Sequence, residues 1–146
     1  METRHQVRPL EERETVNEIA PNPTGGAVPL DVVREYFRRL FVERDLSVCE
    51  ELLAPEYIDH DAVGGTPPGP AATRAYVAQM FADIPDLKVD LHEIHADGGA
   101  VMVRASWRGT RRDGIPFEQS GLALIHVSET GQLLERWSAY QASQPS

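Results

Sequence analysis

The stretch that decides the fold runs from Leu87 to Tyr140: LKVDLHEIHADGGAVMVRASWRGTRRDGIPFEQSGLALIHVSETGQLLERWSAY. Leu87, Val89 and Leu91 alternate with Lys88, Asp90 and His92, the period of a half-buried strand. Asp97-Gly98-Gly99, Asp113-Gly114 and Glu129-Thr130-Gly131 then supply turn residues at intervals that fit hairpins. Between them the sequence predicts long strands over 101–111, 116–127 and 133–141. Strands joined in this way form an antiparallel meander. Strands of about ten residues twist and curl, so the sheet is expected to be curved.

Upstream, the period changes to that of a helix. Pro29 suits a first helical turn, and Val32, Val33, Tyr36, Phe37, Leu40 and Phe41 follow at helical spacing. Glu43-Arg44-Asp45 breaks this helix. A second, short helix carries Leu46, Cys49, Leu52 and Leu53 and is expected to end at Ala54-Pro55. Tyr57 to Asp61 reads as a short strand. After the loop GGTPPGP, Pro70 opens a third helix through about residue 82, with Tyr76, Val77, Met80 and Phe81 on its apolar face. Three helices followed by a meander predict an α+β fold, with helices closing one end of a curved, mostly antiparallel sheet around a pocket.

Residues 1–27 read as a flexible leader and 28–146 as one domain. The leader has no sustained apolar period and ends in the breaker-rich PNPTGGA. Its start lacks the apolar core of a secretory signal, and no apolar run reaches the roughly 18 residues that span a bilayer. A cytoplasmic location is therefore expected. The net charge of −9 argues against a nucleic-acid partner and against docking on anionic membrane. The lone Cys49 rules out an internal disulfide and reads as a buried, inert thiol. No CxxC or HxxxH spacing points to zinc, so no metal site is expected.

Four segments, in order, are similar to the SnoaL-like polyketide cyclases of the NTF2-like superfamily. They are RDLSVCEELLAPEYIDHDA, GPAATRAYVAQMFADIPDLKVDL, VMVRASWRGT and GLALIHVSETGQLLERWSAY, within residues 31–141. The resemblance implies a cone of three N-terminal helices on a curved sheet, with an apolar pocket and no cofactor. It also implies dimers formed through the outer sheet face. The family includes cyclases, hydroxylases and proteins without known activity. Its wider superfamily adds isomerases, dehydratases and epoxide hydrolases, so fold alone does not assign the reaction.

Strict alternation along 133–141 places Glu135 and Trp137 on one face, with Leu134, Arg136, Ser138 and Tyr140 on the other. A carboxylate between Leu133 and Trp137 would be desolvated, and its pKa would rise toward the acid/base range. Glu135 also matches the place of the cyclases' acidic residue, an Asp there. The alternative is a salt-bridged surface Glu. Gln119 fits a cyclase Gln that hydrogen-bonds within the cavity. The cyclase His two positions on is Gly121 here, which should enlarge the pocket.

His60 could orient water or polarise a carbonyl, or simply cap the loop that follows. Asp61 lies near the isomerases' proton-shuttling Asp, with turn chemistry as the alternative. Tyr57, Phe37, Phe41, Met80, Trp107 and Trp137 are candidate pocket wall. Regular alternation would put His92 and His95 on opposite faces, where they cannot chelate together without a bulge. Arg104 and Arg108 read as an outward face. The function expected is acid/base-assisted cyclisation, or a related isomerisation or dehydration, of a small apolar polyketide-like substrate. A non-catalytic binding module and an epoxide hydrolase are the alternatives, although the sequence shows no clear acid–base–Arg network.

Overall fold

The computed structural model describes residues 27–142, so most of the expected leader lies outside the described residues. The chain forms helix α1 (Pro29–Phe37), which continues into a π turn (Arg38–Val42), then α2 (Val48–Leu52) and strand β1 (Leu53–Asp59). Helix α3 (Pro70–Asp83) follows. Strands β2 (Lys88–Asp97), β3 (Ala100–Thr110), β4 (Pro116–Val127) and β5 (Leu133–Ala142) complete the chain. The fold is the α+β arrangement expected from the sequence.

The five strands make one mixed, open sheet in the order β1-β5-β4-β3-β2. The four-strand meander is antiparallel, and β1 joins its edge parallel to β5. Helix α2 stops at Leu52, and extended chain begins at once, earlier than expected. Pro55 therefore sits inside β1, where the register breaks between Leu53 and Ile58. An edge strand tolerates this because one side of its backbone is unpaired.

One face of the sheet is dry. On β3, Val101, Val103, Ala105 and Trp107 point inward and are buried, and Ile125 and Val127 of β4 join them. The α1 stripe of Leu30, Val33, Tyr36 and Phe37 covers this layer, as the helical spacing requires. The π turn widens the helix so that adjacent Leu40 and Phe41 are both buried. Phe37 and Phe41 stack at 5.9 Å, and Phe41 meets the Trp107 ring edge-on at 6.0 Å. Cys49 is fully buried, and burial pushes its thiol up to about 11.

Candidate functional site

The inner sheet face, α1 and α3 enclose a cavity of about 610 Å³, a size common for small-molecule sites. Its apolar wall comes from Leu40, Phe41, Ala72, Val77, Met80 and Trp107. Its depth can be followed along β1: Tyr57 is buried, Asp59 is half-buried and Asp61 is exposed. The loop residues Val63, Thr66 and Pro67, with the exposed Tyr76 of α3, form the mouth.

A guanidinium stands in this wall. Arg136 of β5 pairs in register with Asp59 of β1, and both line the cavity. The Arg136 Nε donates to Ser138 Oγ at 2.9 Å, and an Nη donates to the Tyr140 hydroxyl. Burial opposes its charge most strongly. The electrostatic influence of Tyr140, Tyr57, Tyr36 and Asp59 outweighs it, and the pKa rises above the ordinary arginine value. Arg136 is therefore a fixed cation. Burial pushes the Tyr57 phenol up to about 12, and the Arg136 charge pulls against that shift. Burial also holds the Tyr36 hydroxyl in its neutral form.

Asp59 and Asp61 occupy consecutive inward positions at the end of β1. Asp59 Oδ1 accepts the Asp61 N–H at 3.0 Å, and Asp61 Oδ2 accepts the Ser138 N–H at 2.5 Å. These bonds fix the loop after β1 against β5. Asp61 thus has a place at the mouth, but the turn chemistry expected of it belongs to Asp59, and the Asp61 carboxylate ties the loop to β5.

Several expected site residues do line the cavity: Tyr57, Asp61, Phe41, Met80, Trp107 and Gln119. Phe37 does not; it is core, packed between Tyr36, Phe41 and Trp107. Glu135, His60 and Trp137 also lie off the cavity, on the opposite face of the sheet. Glu135 Oε1 contacts His60 Nε2 at 2.9 Å, and its Oε2 contacts His126 Nδ1 at 2.9 Å. Trp137 stacks on His60 at 4.4 Å and is 37% exposed. The His60 and His126 hydrogen bonds hold the Glu135 carboxyl below its ordinary value, the reverse of the rise expected from desolvation.

A β-bulge is the physical reason for that reversal. Val127 pairs with Leu133, but His126 pairs with Glu135, so Leu134 is an extra residue in β5. Leu133 points into the core, and the phase then slips by one. Arg136, Ser138 and Tyr140 therefore face the cavity, while Glu135 and Trp137 face out. A similar irregularity in β2, between Leu91 and Glu93, brings Glu93 and His95 onto the outer face beside His92. His92 meets Ser106 at 2.9 Å and His95 meets Glu93 at 3.4 Å. Arg104 and Arg108 pair outward with Glu93 and Asp90.

The space beside Gly121 is filled rather than open. A Cβ at Gly121 would stand 2.1 Å from the Ala139 carbonyl oxygen and 2.7 Å from the Tyr140 ring. That ring also meets Trp107 edge-on at 4.8 Å. The pocket is not enlarged at this position, because Tyr140 closes it. Arg136, Asp59, Tyr36, Ser138 and Tyr140 went unread as site residues. The available signal was the shared face of Arg136, Ser138 and Tyr140.

Among the described residues, no group of three or more His, Cys, Asp or Glu side chains could hold a metal ion. No helix among them is long and apolar enough to cross a membrane.

Residues 33–136 match the SnoaL-like domain family. No curated protein matches the sequence. Among solved structures, IdmH of Streptomyces antibioticus, a proposed polyketide cyclase, is 24% identical with a TM-score of 0.65. The match covers 79% of this chain and 93% of that one. A 96–104 loop-truncation variant of IdmH is 26% identical, with a TM-score of 0.64 and coverage of 78% and 93%. SalBIII, an epoxide hydrolase/cyclase-like enzyme of pyran ring formation in salinomycin, is 20% identical. Its TM-score is 0.64 and the match covers 76% of this chain and 88% of that one.

Proposed function

The chain belongs to the SnoaL-like domain family, and on that premise we propose that it is a cyclase-like enzyme acting through side chains alone. Its substrate would be an apolar, polyketide-like intermediate of natural-product or antibiotic biosynthesis, and its setting the cytoplasm. The observation that carries this reading is the placing of Arg136 and Asp59 side by side in the wall of a largely apolar cavity.

Arg136 and Tyr57 hold a substrate carbonyl oxygen. Asp59 removes a proton from the adjacent carbon, and the guanidinium stabilises the enolate that forms. The enolate carbon attacks a second carbonyl of the same chain, one oriented by Gln119. A carbon–carbon bond forms, and the new alkoxide takes the proton back from Asp59. The cavity contributes by folding a flexible chain into a reactive pose. The same proton transfers, without ring closure, would give isomerisation or dehydration.

A second reading rests on the same cluster. Asp59 can take a proton from an attacking hydroxyl or water while a buried phenol donates to an epoxide oxygen. The fold shared with SalBIII favours keeping this reading.

The test is turnover. The purified protein is incubated with linear poly-β-ketones and with hydroxy-epoxides, and products are followed by liquid chromatography–mass spectrometry. Asp59→Asn is expected to lose about 100-fold or more in rate, the ordinary worth of a positioned base. Arg136→Lys should lose a comparable factor. Saturable binding of these compounds with no change in them would instead identify a binding module. We further propose a homodimer formed through the outer sheet face, which bears the exposed side chains of Ile58, Met102, Leu122 and Trp137.

A further inference from the structure

The inner end of the cavity holds polar groups that the protein itself leaves under-used. The Tyr36 side chain is 1% exposed and lines the cavity, yet its hydroxyl has no hydrogen-bond partner among the described residues. A buried hydroxyl without a partner is costly, and native proteins rarely keep one without a use. Beside it is Tyr57, 2% exposed, whose phenol feels the Arg136 charge.

Among the described arginines, Arg136 alone lines the cavity. Arg38, Arg39, Arg74, Arg104 and Arg108 each have a carboxylate oxygen within ion-pair distance. No carboxylate among the described residues lies within 4.0 Å of Arg136. Its fixed neighbours are the neutral oxygens of Ser138 and Tyr140. A guanidinium carries five N–H donors in a planar fork, so after these two bonds about three remain, enough for both oxygens of a carboxylate and for one substrate carbonyl oxygen.

We infer that this end of the cavity recognises a carboxylate at the end of an apolar ligand. Two carboxylate oxygens match the guanidinium fork. The Tyr36 hydroxyl then donates to one of them. The layout of charge sets the direction of entry. Asp61 lies at the mouth, Asp59 is level with Arg136, and the phenols of Tyr36 and Tyr57 lie inward. An anionic group is therefore repelled at the rim by Asp61 and held where the Arg136 fork and the Tyr36 hydroxyl converge. The apolar body of the ligand falls against Phe41, Val77 and Met80. With a chain net charge of −9, general electrostatics offers an anion nothing, so recognition depends on this cluster. The inference deepens the proposed function by naming the group by which a substrate is held. It rests on that reading only in taking this cavity as the substrate site.

The test is a fluorescence titration of the full-length protein at pH 7 with 2-anthroate and with its methyl ester. The acid is expected to bind at least about tenfold more tightly, the order expected of hydrogen bonds to a charged group. Tyr36→Phe, which keeps the ring, should weaken the acid about fivefold or more and leave the ester unchanged. Arg136→Gln should remove the preference altogether. Equal binding of acid and ester, no binding of the acid, or unchanged acid affinity in Tyr36→Phe would each overturn the inference. Asp59→Asn keeps the preference while losing turnover. Loss of preference with turnover intact thus defeats only the carboxylate site, and preference without turnover defeats only the cyclase reading.

Discussion

Gly121 and Glu135 carry two residue-scale predictions. A side chain at Gly121 would collide with the backbone of β5, not with a flexible tip, so the strands would have to separate. Gly121→Ala should cost about 1–3 kcal/mol of stability, read from the urea midpoint at unchanged slope. An unchanged midpoint would mean that Tyr140 is not packed over Gly121.

Glu135 lies outside the cavity, so Glu135→Gln should keep full turnover, and loss of turnover would return it to the mechanism. Its effect belongs to stability. The folded pKa lies below 4.5, the ordinary value, because of His60 and His126. The carboxylate's contribution is therefore complete above pH 4.5 and fades as pH falls through the lower folded value. The Tm gap between wild type and Glu135→Gln should be present at pH 7 and narrow below pH 4.5. A gap constant from pH 7 to pH 3 would refute the pairing.

At the scale of the element, bulges decide what faces inward. The alternation Val101, Val103, Ala105, Trp107 was legible in the sequence because β3 itself carries no extra residue, the one register shift against β2 lying in β2. The hairpin turns were equally legible, since Gly98, Gly114 and Gly131 adopt positive φ, where other residues are strained. Leu134 was not legible. It is apolar and half-buried, like any strand residue, and only the ladder reveals it as surplus.

From that ladder a prediction follows that alternation alone would reverse. Deleting Leu134 should leave Leu133 and Arg136 inward, because the strand then runs in regular register. Deleting Trp137 should turn Ser138 and Tyr140 outward. The first variant should melt within a few degrees of wild type and keep its acid preference, while the second should lose both. If deletion of Leu134 abolishes the acid preference in a folded protein, the bulge is not what sets the faces.

At the scale of the whole molecule, the two sheet faces have different tasks. The inner face keeps one cation among phenols. The outer face carries ion pairs around an apolar centre made of Ile58, Met102, Leu122 and Trp137. Apolar side chains gathered on an open sheet face are characteristic of an association surface, and a two-fold partner would present the same patch. Opposing it is the charge of −9 on each chain, which makes two copies repel. The balance makes salt a diagnostic. Screening weakens the repulsion and leaves apolar burial intact, so the dimer should tighten as ionic strength rises. Light scattering coupled to gel filtration should give a mass twice the 16.2 kDa chain at tens of micromolar. Leu122→Glu, which puts a carboxylate at the centre of the patch, should shift the protein to monomer without unfolding it. A wild-type monomer at high salt, or a Leu122→Glu dimer as tight as wild type, would rule out this face as the interface. In either case the inner face would remain the acid-binding site, because none of the four outer side chains lines the cavity.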